Sequence, residues 1–401
     1  MAGRISSPDI AGGGLQDGPA DTKSSRTASR DSTGGGLGSK QSARTTKNQH
    51  SEKGGSKDQL ARLESIVRNE NALDRNRALL AFIDQLGPQD FEAAIARFKE
   101  LGIKDSRDGE YSLLLTAWAQ ADPFTAMGYA NKDPNDEFTR DTILTAWAST
   151  DAEAAIRWAK SNFTGDGANP YLSGIICGIS GSDMTRATEL LTSMPRSVER
   201  GKGLDYILPH LLDLGADATR SWIGGIKDDA LRSGAMIRTA EQLAESDPAG
   251  TAAWLLANPG EARQQRMDDV YGAWARSDKN AALTSFSALP TGEDRSNALR
   301  GLVSNFAGKD PKEAVSLMDR YPSDVTDRVV QNFVWHSFGT DPAIAATEIA
   351  RMADQDQRDR TYRRTLEIWM DRDPTAAQAW IKTNAIPESV QKHLDRQAAQ
   401  K

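Results

Sequence analysis

An aspartate recurs roughly every 31 residues along most of this 401-residue chain. A helix-like stretch and a short break precede each aspartate, and proline often follows it. The ten positions are Asp90, Asp122, Asp151, Asp183, Asp217, Asp247, Asp278, Asp310, Asp341 and Asp373. A period of this length is typical of stacked helical hairpins. The pattern therefore predicts an all-α fold, in which about ten hairpins stack into an α-solenoid with a right-handed superhelical course.

A small residue stands four positions after every one of these aspartates. The ten residues are Ala94, Ala126, Ala155, Ala187, Ser221, Thr251, Ala282, Ala314, Ala345 and Ala377. Each hairpin is read as a helix A, the break, and a helix B that begins at the aspartate. A small side chain in the second turn of helix B would let the two helices approach closely where they cross. The aspartates themselves are predicted to cap helix B.

Two regions differ in composition. Residues 1–57 are rich in Gly, Ser and Thr, and their 9 Lys/Arg and 5 Asp/Glu give a net charge of +4. Such a segment cannot bury enough apolar surface to fold alone, so a disordered tail is predicted there, with helix beginning near Leu60. Residues 58–401, the predicted repeat domain, carry 40 Lys/Arg and 51 Asp/Glu. This acidic balance argues against a nucleic-acid partner.

The middle of the repeat array is irregular in sequence. Glycines stand at Gly174 and Gly178, where alanine is usual, and Pro209 is expected to interrupt a helix A. Two interpretations stay open for this stretch. It is either a tolerated decay of the repeat or a bend that shapes a binding groove.

Localisation is predicted from the absence of two signals. No apolar run reaches the ~18 residues of a membrane-spanning helix. The sequence from Met1 lacks the apolar core of a secretory signal. Taken as written, the chain is expected to be cytoplasmic, or exported or membrane-tethered if an upstream signal is missing.

No catalytic, cofactor-binding or metal-binding residue is predicted. The four histidines are far apart in the sequence, and the single cysteine, Cys177, excludes a Cys-rich zinc site. The repeated aspartates fit a capping role better than acid–base catalysis, because a catalytic group has no use for ten copies. Most of the nine tryptophans stand at matched repeat positions and are expected to pack in the core.

An arginine recurs near the start of helix A. The six positions are Arg140, Arg200, Arg266, Arg295, Arg328 and Arg360. One interpretation is a ladder of surface ion pairs between neighbouring units, each contributing little to stability. The other is a row of guanidinium groups that grips acidic side chains or the C-terminus of a peptide partner.

The Ala-Trp-Ala segment before Asp122-Pro123, with its close copies, resembles bacterial tandem α-helical repeat proteins of the tetratricopeptide-like and HEAT-like kind. The resemblance implies an α-solenoid whose surface binds a protein or peptide. The function expected is therefore a non-enzymatic interaction scaffold without a cofactor. The alternatives are an envelope-tethered structural repeat protein and an enzyme built on a helical toroid.

Overall fold

Helices are the only regular secondary structure in residues 52–398, the part of the chain that the computed structural model describes. The α-helices, numbered α1 to α22 in order, are Glu52–Val67, Ala72–Ile83, Phe91–Glu100, Asp108–Ala121, Pro123–Ala130, Glu137–Thr150, Ala152–Asn162, Leu172–Ile179, Met184–Ser193, Val198–Asp213, Ala216–Gly225, Asp229–Ser246, Pro248–Ala257, Glu261–Ser277, Lys279–Ala288, Glu293–Ala307, Pro311–Arg320, Asp327–Ser337, Pro342–Glu348, Gln355–Arg372, Pro374–Thr383 and Glu388–Ala398. Three short 3-10 helices occupy Lys104–Ser106, Pro322–Asp324 and Ile349–Arg351.

The predicted all-α class is confirmed for this part of the chain. The predicted tail, residues 1–57, lies outside the described residues except for its last positions. There α1 already begins at Glu52, earlier than the expected start near Leu60.

The helices alternate as ten A–B pairs, from α2 with α3 to α20 with α21, with α1 before and α22 after them. From α4 to α16, each helix A packs against its own helix B and against the helix A of the preceding and following units. Helix α18 packs against α16 and α19 but makes little contact with α20. A single core cluster runs from Leu63 to Leu394 through all the pairs. The core therefore grows unit by unit along the sequence.

Eight of the ten repeated aspartates cap helix B through their side chains. Each accepts a hydrogen bond from a backbone N–H of the first turn, which has no partner inside the helix. The eight are Asp122, Asp151, Asp183, Asp247, Asp278, Asp310, Asp341 and Asp373. Asp90 stands at the start of α3 but accepts from the N–H of Gly87 instead.

Nine of the ten small residues have no exposed surface, as the helix-crossing role requires. The prediction is wrong only in the unit around Asp217, where helix B begins two residues early. Gly215, with a φ of +96°, precedes this helix, so Asp217 lies inside its first turn and pairs with Arg220. Thr219, four residues after Gly215, takes the buried position, whereas Ser221 is exposed.

The glycines in the middle of the array have a packing role. A Cβ atom at Gly178 would lie 2.4 Å from the carbonyl oxygen of Thr145, and one at Gly174 would lie 2.9 Å from that of Asp141. Helix α8 therefore lies against the backbone of α6 at these two positions, where a larger residue would not fit. The expected interruption at Pro209 is also wrong, because α10 continues through it.

Candidate binding site

The six arginines predicted to bind a partner differ in their surroundings. Arg200 is buried and pairs with Asp228 at 2.8 Å, and Arg295 pairs with Asp324 at 3.1 Å. The Arg200 contact joins neighbouring units, as the ion-pair interpretation expects, because Asp228 caps α12. The Arg295 contact stays within its unit, because Asp324 lies in the 3-10 helix that follows α17.

Of the other four arginines, two form ion pairs with carboxylates one and three residues away in the sequence. Arg140 contacts Asp141, and Arg266 contacts Asp269. Arg328 and Arg360 are exposed. The structure does not bring the six guanidinium groups together, and only Arg360 lies in the cleft described below.

A second set of arginines, which shares Arg200 and Arg295 with the first, keeps the repeat period. Each lies in the first turn of a helix A and donates from a guanidinium N–H to a backbone carbonyl six or seven residues earlier, so that it ties helix A to the end of the preceding segment. The set comprises Arg75, Arg200, Arg232, Arg263, Arg295 and Arg358. The spacing of 31 or 32 residues from Arg200 through Arg232 and Arg263 to Arg295 was visible in the sequence. These arginines stabilise the fold.

One tryptophan departs from the expected burial in the core. Trp118, Trp147, Trp274 and Trp369 stand four residues before a repeated aspartate and are at least 90% buried. Trp335 stands six residues before Asp341 and is 70% exposed. Its off-register position was the sequence signal that could have identified it.

The position of Trp335 matters because residues at this register face the next helix A. We call the contact between two successive helices A a seam. In three seams the same two repeat positions meet: the residue six positions before one repeated aspartate contacts the residue nine positions before the next repeated aspartate. The contacts are Thr145 with Gly174 (Oγ1 to carbonyl oxygen, 3.0 Å), Gly272 with Gly301 (3.4 Å from a Cβ built on Gly272 to the carbonyl oxygen) and Asn332 with Ser304 (Nδ2 to Oγ, 3.1 Å). Small or short residues therefore let these helices approach closely.

At the seam between α18 and α20 the same two positions hold Trp335 and Arg364. The guanidinium carbon of Arg364 lies 5.8 Å from the centre of the Trp335 ring. In the three seams above, the two helix backbones approach each other at these positions. Between α18 and α20, the large side chains of Trp335 and Arg364 fill that space instead. As a result, α18 and α20 approach each other far less closely than α14 and α16 or α16 and α18 do.

The separation leaves an open cleft of about 900 Å³ between α18 and α20. Its aromatic residues are Trp335 on α18 and Phe338 directly after α18, and its cations are Arg360, Arg364 and Arg372 on α20. The guanidinium carbon of Arg372 lies 5.6 Å from the centre of the Phe338 ring. A hydrogen bond from Gln331 to Gln357, 3.0 Å long, crosses one part of the cleft, and Asn332, Thr361 and Thr365 add polar groups to the wall.

The cleft is electropositive in an otherwise acidic domain. Its described lining includes no aspartate or glutamate. Arg360 interacts electrostatically with Asp354, which lies just before α20 and outside the lining. All three arginines are exposed. The cleft therefore offers planar apolar surfaces for stacking and guanidinium groups for anions.

Residues 52–398 contain neither a cluster of metal-ligating side chains nor a membrane-spanning helix. No group of three or more His, Cys, Asp or Glu side chains within 52–398 is arranged to hold a metal ion. No helix in the described part is both long and apolar enough to cross a membrane.

No protein-family model, curated protein or solved structure matches this chain.

Proposed function

We propose that this protein is a non-enzymatic interaction scaffold that binds a protein or peptide partner. In this proposal the ten A–B pairs stack into an α-solenoid of the tetratricopeptide-like and HEAT-like kind. The packing of successive helices A on one another from α2 to α18 supports it. Arrays of this type present extended surfaces that suit protein and peptide ligands.

The observation that carries the proposal is the cleft between α18 and α20. It has a 70% exposed tryptophan beside exposed arginines, and both residue types are enriched where proteins bind one another. Its polar groups are guanidinium, amide and hydroxyl groups. These groups bind and orient ligands but seldom transfer protons near neutral pH, so the lining supports recognition more than catalysis.

The test compares partner capture by two variants of the full chain in a lysate of the organism that encodes it. Trp335→Ala removes the exposed ring of the cleft. Leu214→Ala is the matched control, because Leu214 is 67% exposed but lies outside the cleft. We expect Trp335→Ala to lose a protein that the unmodified chain and the control both retain. If both variants capture the same proteins as the unmodified chain, this site is not where the scaffold binds.

A further inference from the structure

We propose that the partner segment held in the cleft between α18 and α20 is an acidic peptide in an extended conformation. This inference rests on the proposed scaffold function and adds the chemistry of the ligand.

The spacing of the cations supports an extended ligand. Arg360, Arg364 and Arg372 are separated by four and eight residues on one face of α20. A helix rises about 1.5 Å per residue, so the gaps are about 6 and 12 Å along the axis. Alternate side chains of an extended peptide are about 6.6 Å apart and lie on one side of it. Carboxylates at the first, third and seventh positions of a peptide would therefore match the three arginines.

The aromatic residues supply a second contact. Trp335 lies in the last turn of α18, and Phe338 follows the helix with a helical backbone conformation. The two are three residues apart, so they lie on one side, across the cleft from the arginines of α20. A peptide that alternates acidic and apolar side chains would direct its carboxylates to α20 and its apolar groups to α18. Because Arg364 lies against Trp335 and Arg372 against Phe338, such a peptide would lie along the mouth of the cleft, with one face toward each helix.

Charge also separates this ligand from other anions. Residues 58–401 carry a net charge of −11, which repels a long polyanion such as nucleic acid or an anionic membrane over most of the domain. A short acidic segment needs only the local positive potential of the cleft. The chain's own residues 1–57 do not fit as the occupant, because their net charge is +4.

The experiment measures binding of fluorescein-labelled heptapeptides to the full chain by fluorescence anisotropy. The probe has Glu at odd positions and Leu or Phe at even positions; two controls replace every Glu by Gln or by Lys. We expect the Glu peptide alone to bind, and to bind more weakly as salt is raised. Arg364→Gln and Arg372→Gln should each weaken binding roughly tenfold, because each removes a charge-assisted contact. Arg157→Gln, an exposed arginine on α7, should leave binding unchanged.

Reversing the charge of the cleft gives a positive test that loss of folding cannot mimic. The double variant Arg364→Glu with Arg372→Glu should release the Glu peptide and gain binding of the Lys peptide. Equal binding of the Glu and Lys peptides to the unmodified chain would overturn the inference. So would tighter binding of a poly-dT oligonucleotide or of phosphatidylserine vesicles. If no peptide binds while Trp335→Ala still loses the captured partner, the acidic-peptide inference is wrong and the scaffold function stands.

Discussion

At the scale of single residues, the crossing positions in helix B carry the repeat. Their side chains are small because the backbones of two helices meet there, and nine of the ten named from the sequence are fully buried. We expect the loss of stability on enlarging an alanine in helix B to depend on how deeply that alanine is buried. Two alanines in the same helix, α21, allow this to be measured directly: Ala377 is fully buried and Ala379 is exposed.

We expect Ala377→Leu to lower the free energy of unfolding by roughly 1–3 kcal/mol, because three extra carbon atoms overpack the contact between α20 and α21. Ala379→Leu should change it by less than about 0.5 kcal/mol. Urea denaturation followed by circular dichroism gives both values. Equal losses for the two variants would show that Ala377 does not set the helix crossing.

A second residue-scale prediction concerns pH and the carboxylate of Asp136. The ammonium nitrogens of Lys99 and Lys104 lie 2.8 and 3.0 Å from its oxygens. Burial alone would raise the pKa of Asp136, but hydrogen bonds from these lysines and from Thr139 hold it well below its ordinary value of 3.8. The folded chain therefore holds this carboxylate in its charged form more strongly than the unfolded chain does.

Because the folded pKa lies below the unfolded one, the stabilisation is present above about pH 4 and is lost as pH falls toward the folded value. We expect Asp136→Asn to lower the free energy of unfolding by roughly 1–3 kcal/mol at pH 7, and by progressively less at pH 3.5 and pH 2.5. The exposed Asp105→Asn serves as the control in the neighbouring 3-10 helix. A deficit that stays constant from pH 7 to pH 2.5 would contradict this account.

At the scale of elements, the helices were predictable because their signals are local. An aspartate, often followed by proline, satisfies the free N–H groups of the next helix, and this needs no knowledge of the tertiary fold. The unit around Asp217 failed because Gly215 competes for the start of the helix, and its φ of +96° is a conformation that the sequence alone does not show. The cleft could not be located because its seam depends on which residues of successive helices A face each other. Only the off-register Trp335 pointed to it.

Substitution of glycine by alanine should lower the stability of the protein at a seam and raise it on an exposed helix surface. A Cβ atom at Gly301 would lie 2.0 Å from the carbonyl oxygen of Asp268, whereas at Gly128 it would meet nothing within 4 Å. We expect Gly301→Ala to destabilise the protein by roughly 1–3 kcal/mol, because α14 and α16 must move apart. Gly128→Ala should stabilise it by up to ~1 kcal/mol, since alanine has the higher helix propensity. Thermal unfolding of both variants measures the difference, and a gain in stability at Gly301 would disprove the close seam.

At the scale of the whole molecule, stability should vary along the chain as the seams do. Where units interact mainly with their neighbours, each seam contributes its own share of stability, and a weak seam allows the units beyond it to open separately. The seam between α14 and α16 is closed by Gly272 and Gly301, and that between α18 and α20 is held open by Trp335 and Arg364. Local opening is therefore expected to begin at α20.

Hydrogen–deuterium exchange with mass spectrometry tests this expectation on two helices of similar length. Backbone amides of Gln355–Arg372 should exchange faster than those of Glu261–Ser277, although both helices lie in the repeat array. The acidic heptapeptide should slow exchange in Gln355–Arg372 and leave Glu261–Ser277 unchanged, because a ligand that bridges α18 and α20 adds to the few contacts between those helices. Equal protection of the two segments without peptide would mean that the cleft does not weaken the array, and that α19, α21 and α22 hold α20 as firmly as a closed seam.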